Sequence, residues 1–560
     1  MKKILQFAIL VMSIQLIGQP LNGTVTVGTG GDYPNFTSST GLFKAINDNG
    51  LDGNLTVLVI SDLTELATIS LDQWTEFPSN SNYTLTINSN NTVNKTILSN
   101  AGSDVFRFNG VDNVIIDGSI NGTGVYLTFV GWTRTVFIFS NGATNNQLKN
   151  LKISCRYTTS GSVIFAASNN SNNLVENCEI FNRPAGTNYP KHGIHSYNIT
   201  NQNNIFRNNK IYGFSETGIY IESGDNTLIE GNEIYSDVGV FGIHCEGLNT
   251  ITMNSNKIYD LFGTSNPQSI MGIRFNHNGI GTNVVANITN NMISLNTPFP
   301  SRINGISLDG TNSTPITVNV YHNTILISGT EDSSFTSNGI RQIEISDVNI
   351  KNNIIINTRA NTRVNLPGNG LCLVLQDNAG NSNVISDSNI LFSSGMNTQI
   401  GQWNATRLTT LTDWQTTSGL DMNSISKNVF FVSETDLHLT GTSNGDADLA
   451  VSSLPSVMTD FDAESRNSNT YAGCDELPNT LTVQEIAKEE VQIYPNPTTG
   501  KISFVGLPQN TPFTIYDLSG RTIQNGQLQI TNKTIDVSNL QSGYYFIKLK
   551  NYNTIPFIKN

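Results

Sequence analysis

Apolar and polar residues alternate along most of this chain in short runs, each broken by Asn or Gly. Val105–Gly118 (VFRFNGVDNVIIDG) and Asn146–Ser154 (NQLKNLKIS) are early examples. A period of two predicts half-buried strands. A longer rhythm lies over it. Gly-Ile or Gly-Leu pairs stand at Gly193, Gly218, Gly242, Gly272, Gly305, Gly339 and Gly370, 24–34 residues apart. An Asn-x-Ile or Asn-Ile step follows each of them, beginning at Asn209, Asn232, Asn256, Asn291, Asn323, Asn353 and Asn389, and its Ile lies 16–21 residues after the Gly. The return from that Ile to the next Gly varies from 7 to 15 residues, which predicts insertions concentrated on one edge. A strand–turn–strand unit repeating at this interval predicts an all-β solenoid whose coils pack only on their neighbours.

The pattern changes towards both ends. Ser38–Asn47 has helical spacing, with Leu42, Phe43 and Ile46 on one face, and is expected to cover the open first coil within an N-terminal cap of about residues 24–75. Strands are expected at Leu55–Ile60 and Tyr83–Asn88. The repeat fades over a closing segment, residues 403–476, where TRLTTLTDWQTTSG suggests a short helix and NVFFVSETDLHL suggests strands. Residues 477–490 read as a polar linker. Residues 491–560 restart as a compact all-β pattern with closely spaced turns. At the other end Lys2 and Lys3 precede a largely apolar stretch, Ile4–Ile17, so residues 1–19 read as a Sec-type signal peptide and residues 20–476 as the mature solenoid. No later run is apolar for long enough to span a membrane as a helix.

Composition fits many tight turns. The 77 asparagines outnumber the 73 charged side chains, and there are 47 glycines. Asn satisfies turn amides and tolerates left-handed backbone. Asn208, Gly231, Ser255, Asn290, His322 and Asn352 share one turn column. Asn209 and its equivalents form the next, and stacked amides there are expected to bond one another. The net charge of −13, without any basic run, argues against nucleic acid as a partner. Five scattered cysteines, an odd number, predict buried free thiols rather than a disulfide framework.

With the Ile of each Gly-Ile pair inward, the next residue points out. One outward column then holds His195, Tyr220, His244, Arg274, Ser307 and Arg341. A second holds Tyr197, Glu222, Glu246, Asn276 and Asp309. The return segments before Gly218 and Gly242 are the shortest, which predicts a notch near Tyr220, Glu222, His244 and Glu246. His195, Tyr197, Tyr220 and Asp309 suit glycan binding. Were the chain an enzyme, Glu222 and Glu246 could repel each other and raise one pKa for acid catalysis, while His244 or Arg274 served lyase chemistry. Asp460, Asp462 and Glu464 alternate as oxygen donors of the kind Ca²⁺ takes.

The repeat resembles that of right-handed parallel β-helix proteins, a group that includes extracellular polysaccharide lyases, glycoside hydrolases and adhesins. The resemblance implies that fold for residues 20–476. The Gly-His-Gly and Arg-Ile-Lys motifs of the polygalacturonase type are absent, as is the Arg-x-Pro-x-x-Arg of pectate lyases. The run from TDWQTTSG to AGCDE resembles the closing segment of Bacteroidetes-type surface β-helix proteins. Tyr494-Pro495-Asn496-Pro497, Asp517-Leu518-Ser519-Gly520-Arg521 and Gly543-Tyr544-Tyr545 are similar to the type A sorting domain of type IX secretion cargo. That implies a small β-sandwich, the type IX machinery as a partner, delivery to the outer surface, and removal of the domain with release or attachment to lipopolysaccharide. The expected function is glycan binding or adhesion at the cell surface, with a polysaccharide lyase or glycoside hydrolase as the alternative.

Overall fold

The computed structural model describes residues 18–476 and 491–560, apart from 101, 157, 184–187, 198–199, 248, 265–267, 278–283, 311–314, 332–334, 362–369, 376–382, 395–397, 506–509, 530 and 550–553. The expected signal peptide lies outside the described residues but for Gly18 and Gln19, and so does the expected linker, residues 477–490. The chain divides into two compact units, Met1–Leu477 and Pro478–Asn560.

In the first unit each coil gives one strand to each of three sheets. One coil runs Thr217–Ile221, Thr227–Glu230, Glu233–Ser236, and the next runs Phe241–Glu246, Thr250–Asn254, Lys257–Leu261. These strands belong, in that order, to sheets I, II and III, which have 13, 13 and 12 strands. Pairing is parallel between coils, and among the described strands of these three sheets only the last of sheet I, Thr406–Leu408, is antiparallel. The alternation of each strand sends one set of side chains into a continuous core. Ile194, Ile219, Ile243, Ile273, Ile306 and Ile340 are fully buried there. Phe106, Phe108, Phe129, Phe137, Phe139 and Phe165 fill the wider N-terminal part, with Phe139 and Phe165 stacked at 4.6 Å.

From Lys149 onward the corner between sheets II and III keeps one form, and it explains the second sequence marker. It has two residues. The first is left-handed on successive coils: Asn177 (φ 53°), Asn208 (55°), Gly231 (64°), Ser255 (53°), Asn290 (53°), His322 (54°), Asn352 (59°) and Ser388 (58°). The second is the buried Asn. In Asn209, Asn232, Asn256, Asn291, Asn323, Asn353 and Asn389 the Oδ1 accepts the backbone N–H of the same position one coil earlier, at 2.9–3.1 Å. The Nδ2 donates to the next coil's Oδ1 at 2.9–3.0 Å. Asn389 ends the ladder by donating to Asp421 Oδ1 at 2.9 Å. A shorter ladder of Asn146, Asn173 and Asn204, absent from the sequence expectations, works in the same way at the start of sheet II.

The glycine marker has an equally direct cause. A Cβ on Gly193, Gly218, Gly242, Gly272, Gly305 or Gly339 would lie 2.2–2.5 Å from Cγ2 of the sheet III isoleucine and 2.6–2.7 Å from the next coil's carbonyl oxygen. Gly and Ile thus interlock across the core. The seventh marker departs from this register. Ser337 pairs with Gly370 and Ile340 with Leu373, so Cys372, not Gly370, takes the interlocking place. Insertions occupy two edges rather than the one expected. The sheet I to II connection varies as well, being short between Glu246 and Thr250 and longer between Asn276 and Val284.

Both ends are covered. The N-terminal helix runs Leu42–Asn49, four residues later than the spacing suggested, because Ser38–Gly41 closes a turn of its own. Leu42, Phe43 and Ile46 face the core as expected. The expected strands appear at Leu51–Val59 and Leu85–Ser89. The C-terminal helix, Leu411–Ser418, begins with a capping box of Thr410 and Asp413 and buries Trp414, whose Nε1 donates to Asp421. The strands expected in NVFFVSETDLHL are replaced by a single antiparallel bridge, Phe431 to Leu439. That segment instead lays Val429, Leu437, Leu439 and Leu449 on Met292, Leu326, Ile354 and Ile356 of sheet III. All five cysteines are buried, and none is in a disulfide. The second unit is a three-stranded and a four-stranded antiparallel sheet around Ile502, Phe504, Ile515, Ile547 and Phe557.

Removing one rung strands donors and acceptors on both sides. Asn256→Ala leaves the Asn232 amide groups, the Ile229 carbonyl and Asn291 Oδ1 short of partners. The expected loss in urea unfolding is about 3 kcal/mol, at about 1–3 kcal/mol per orphaned buried group. Asn22→Ala, which removes an exposed bond to Asp52, is expected to change stability by less than about 0.5 kcal/mol.

Candidate functional site

Parallel pairing at one register lines up residues that are far apart in the chain. On sheet I it sets His195 beside Tyr220, then His244, Arg274, Ser307 and Arg341. The column extends back through Ile164, Ile138 and Arg107, and forward through Val374 and Gln402. In the neighbouring column Glu246, Asn276 and Asp309 are likewise paired.

The imidazoles are not the open platform that an outward column implies. His195 and His244 are buried, and Ser307 fully so. The reason is the coil spacing, which suits ring stacking. His195 stacks on Tyr220 at 5.0 Å and 11°, and Tyr220 on His244 at 4.8 Å and 22°. Each ring covers the next. His192, which the sequence pattern did not single out, packs against His195 at 4.8 Å and Tyr220 at 5.0 Å. Phe241 closes on His244 at 5.1 Å. Tyr197, 36 % exposed, lies 5.1 Å from His195 and is the ring most open to solvent.

Two of the buried imidazoles, His195 and His244, stand against a carboxylate. His195 Nε2 meets Glu222 Oε1 at 3.0 Å, and its Nδ1 meets Ser160 Oγ at 2.7 Å. His244 Nε2 lies 2.9 Å from Glu246 Oε1, while the Tyr220 hydroxyl donates to Glu246 Oε2 at 3.4 Å. Asp309 takes Arg341 at 2.6 Å and Arg274 at 3.7 Å. Burial pulls His195 below its ordinary pKa against the opposing pull of Glu222, and takes His192 down to about 2. Burial also pushes the Tyr220 phenol up, helped by Glu246 and Glu222. Glu246 is not the raised carboxyl that repulsion between Glu222 and Glu246 would make. His244, its Nε2 2.9 Å away, holds it below the usual carboxylate range, assisted by Asn276 and Arg274.

The short-coil notch is not where the described cavities lie. One of about 540 Å³ lies on the N-terminal side of the ring stack, lined by Arg107, Arg134, Thr135, Ser160 and Ile164 among others. One of about 310 Å³ lies on the C-terminal side, lined by Arg302, Asn338, Arg341, Gln402 and Asn404 among others. Both open on the sheet I face. The place of the expected notch is filled by the stacked rings of His195, Tyr220 and His244.

The Ca²⁺ expectation needs correcting. Asp460 is buried, and its oxygens are taken by backbone N–H groups: Oδ1 by Asp462 at 3.0 Å and Glu464 at 2.7 Å, Oδ2 by Glu476 at 2.9 Å. Both of its oxygens are thus committed to building the turn. Asp462 belongs instead with His438 and Asp475, whose donor atoms lie within 4.8 Å of one another. One imidazole nitrogen with two carboxylates suits Zn²⁺ better than the all-oxygen shell of Ca²⁺. Glu464 is exposed and outside that group.

In the C-terminal unit the motif residues build turns. Pro495, Asn496 and Pro497 follow the strand Gln492–Tyr494, and Asn496 bonds Ile558 and Pro556 across the fold. Asp517 accepts the amides of Ser519 and Arg521 and pairs with the Arg521 side chain at 3.0 Å, around Gly520 at φ 79°. Gly543 opens the strand Gly543–Leu549, and Tyr494 and Tyr544 are exposed.

Residues 137–325 match the family described as right handed beta helix region, and residues 492–559 match the secretion system C-terminal sorting domain. No curated protein matches the chain. A tail of this kind directs its cargo through type IX secretion to the cell surface or the extracellular space, which makes that machinery a partner of the C-terminal unit. Among the described residues no helix is long and apolar enough to cross a membrane.

The Glu246 bond sets an acid limit. Its folded pKa lies below the ordinary 4.5, so the stabilisation is complete above pH 4.5 and is lost as pH falls through the folded value. Urea midpoints for the intact protein are expected to drop between pH 5 and pH 3, and Glu246→Gln is expected to shrink that drop while costing stability at pH 7.

Proposed function

We propose that this right-handed β-helix protein, sorted through type IX secretion, binds a polysaccharide along the outer face of sheet I. The observation that carries the reading is the in-register strip on that face. Two clefts lined by arginine, threonine and amide side chains flank a stack of His195, Tyr220 and His244 edged by Glu222, Glu246, Asp309 and the open ring of Tyr197. An extended polymer matches an extended strip, and arginine and amide groups suit hydroxyl- and carboxylate-bearing sugars. A lyase or glycosidase using Glu222, Glu246 and Arg274 is less favoured, because His195, His244 and Asp309 already engage them. In this reading the protein acts in adhesion or glycan capture, and after sorting it is either released or held on lipopolysaccharide.

A polysaccharide array read for retention tests this. Retention of at least one polymer is expected. Tyr197→Ala and Arg341→Ala should each weaken it about three- to tenfold, the worth of one aromatic contact or of one charge-assisted bond. Failure to retain any polymer, or retention untouched by both changes, would overturn the reading.

A further inference from the structure

Ser160 owes its position to an irregularity in sheet I. The strand Thr158–Phe165 pairs with Pro190–Ser196 through a register shift between Thr158 and Gly161. Bulges of this kind re-aim side chains. Gly161 keeps the space beside it open, since a Cβ there would stand 3.1 Å from that of His195. The next coils supply His195 and then Glu222, so that three consecutive coils bring a hydroxyl, an imidazole and a carboxylate into one line. Glu222, as a carboxylate, accepts from Nε2–H at 3.0 Å, which leaves the Nδ1 lone pair facing Ser160 Oγ at 2.7 Å. Ser160 also lines the cavity of about 540 Å³, together with Arg107, Arg134 and Thr135.

We propose that Ser160, His195 and Glu222 form a nucleophilic hydrolase site for short carboxylic esters, of the kind carried on sugar hydroxyls. Ser160 Oγ attacks the ester carbonyl carbon while its proton passes to His195 Nδ1. Arg134 on the cavity wall supplies positive charge to the tetrahedral oxyanion, whereas Arg107 there is paired with Asp104 at 2.8 Å. The bond from carbon to the alcohol oxygen breaks, and that oxygen takes the proton from Nδ1. Water then adds to the acyl-serine, giving its proton to Nδ1. The carboxylic acid leaves as Ser160 Oγ recovers that proton, so water is the only co-reactant. Glu222 is the positioning residue: it holds the Nε2–H tautomer and balances the imidazolium. The cavity holds a short acyl group on the N-terminal side of the ring stack, so the ester reaction does not depend on a polymer occupying the whole strip.

The test uses the full chain with 4-nitrophenyl acetate, and with a fluorophosphonate label read by peptide mass. Hydrolysis above buffer and a label on Ser160 are expected. Ser160→Ala should lower kcat/KM by about a thousandfold or more and abolish the label, with the thermal midpoint used to confirm folding. Glu222→Gln should lower kcat about a hundredfold or more and move the acid limb of the pH profile to lower pH, because Glu222 is the group that favours protonated His195. Lys191, Glu216, His192, Tyr197 and Tyr220 around that ring stay in place. No hydrolysis, hydrolysis undiminished in folded Ser160→Ala, or a label on another residue would overturn the assignment. Ester cleavage without polymer retention would count against the glycan-binding reading alone, and retention without cleavage against this one alone.

Discussion

A side-chain amide bonded to the amide one coil away is the interaction on which this molecule rests. At the corner between sheets II and III the backbone turns sharply inside the core, where an unpaired N–H costs about 1–3 kcal/mol. Asn meets that need twice, with Oδ1 accepting the N–H of the coil before and Nδ2 reaching the coil after. Its neighbour adopts the left-handed conformation that Asn and Gly tolerate best. Repeated from Asn209 to Asn389, the corner holds these coils in one register. Sheet register, the Gly–Ile interlock and the alignment of the sheet I columns all follow from that.

The same regularity decides what the sheet I face can do. Aromatic rings on successive coils arrive at stacking distance, so they bury one another and pull their nitrogens out of water. A buried imidazole then needs a partner, and the adjacent column supplies it: Glu222 for His195 and Glu246 for His244. A serine hydroxyl meets a ring nitrogen at the bulge that carries Ser160. The chemistry of this face therefore comes from one departure laid over many identical coils.

Much of this could be read in the chain. The columns from His195 to Arg341 and the corner from Asn208 to Asn352 lie where the markers put them, because Gly and Asn are there for reasons of backbone and leave a periodic trace. Where the trace was weak the reading slipped. Cys372 is small enough to stand in for glycine, so Gly370-Leu371 was taken for the repeat two residues too early. Ser160 belongs to a coil without the Gly-Ile marker, and a bulge leaves no signature in composition, while His192 stands directly before Gly193-Ile194, outside the columns counted from that marker. Burial of His195 and His244 was hidden too, since alternation gives the direction of a side chain and not what its neighbours cover. Asp460 looked like a ligand because a carboxylate that caps a turn and one that binds an ion occur in the same kind of acidic run.

The closing segment returns to a part of the solenoid made long before it. Buried Arg466 donates to Asn290, 176 residues earlier, and to the carbonyl of Gly473. Gly473 in turn donates to the carbonyl of Asn352, and Cys474 to Thr324. Contacts across such separations form late, because a long loop must close before they are made. The closing segment therefore seats only on coils that already stand in place, and it acts as a latch across Asn290, Thr324 and Asn352.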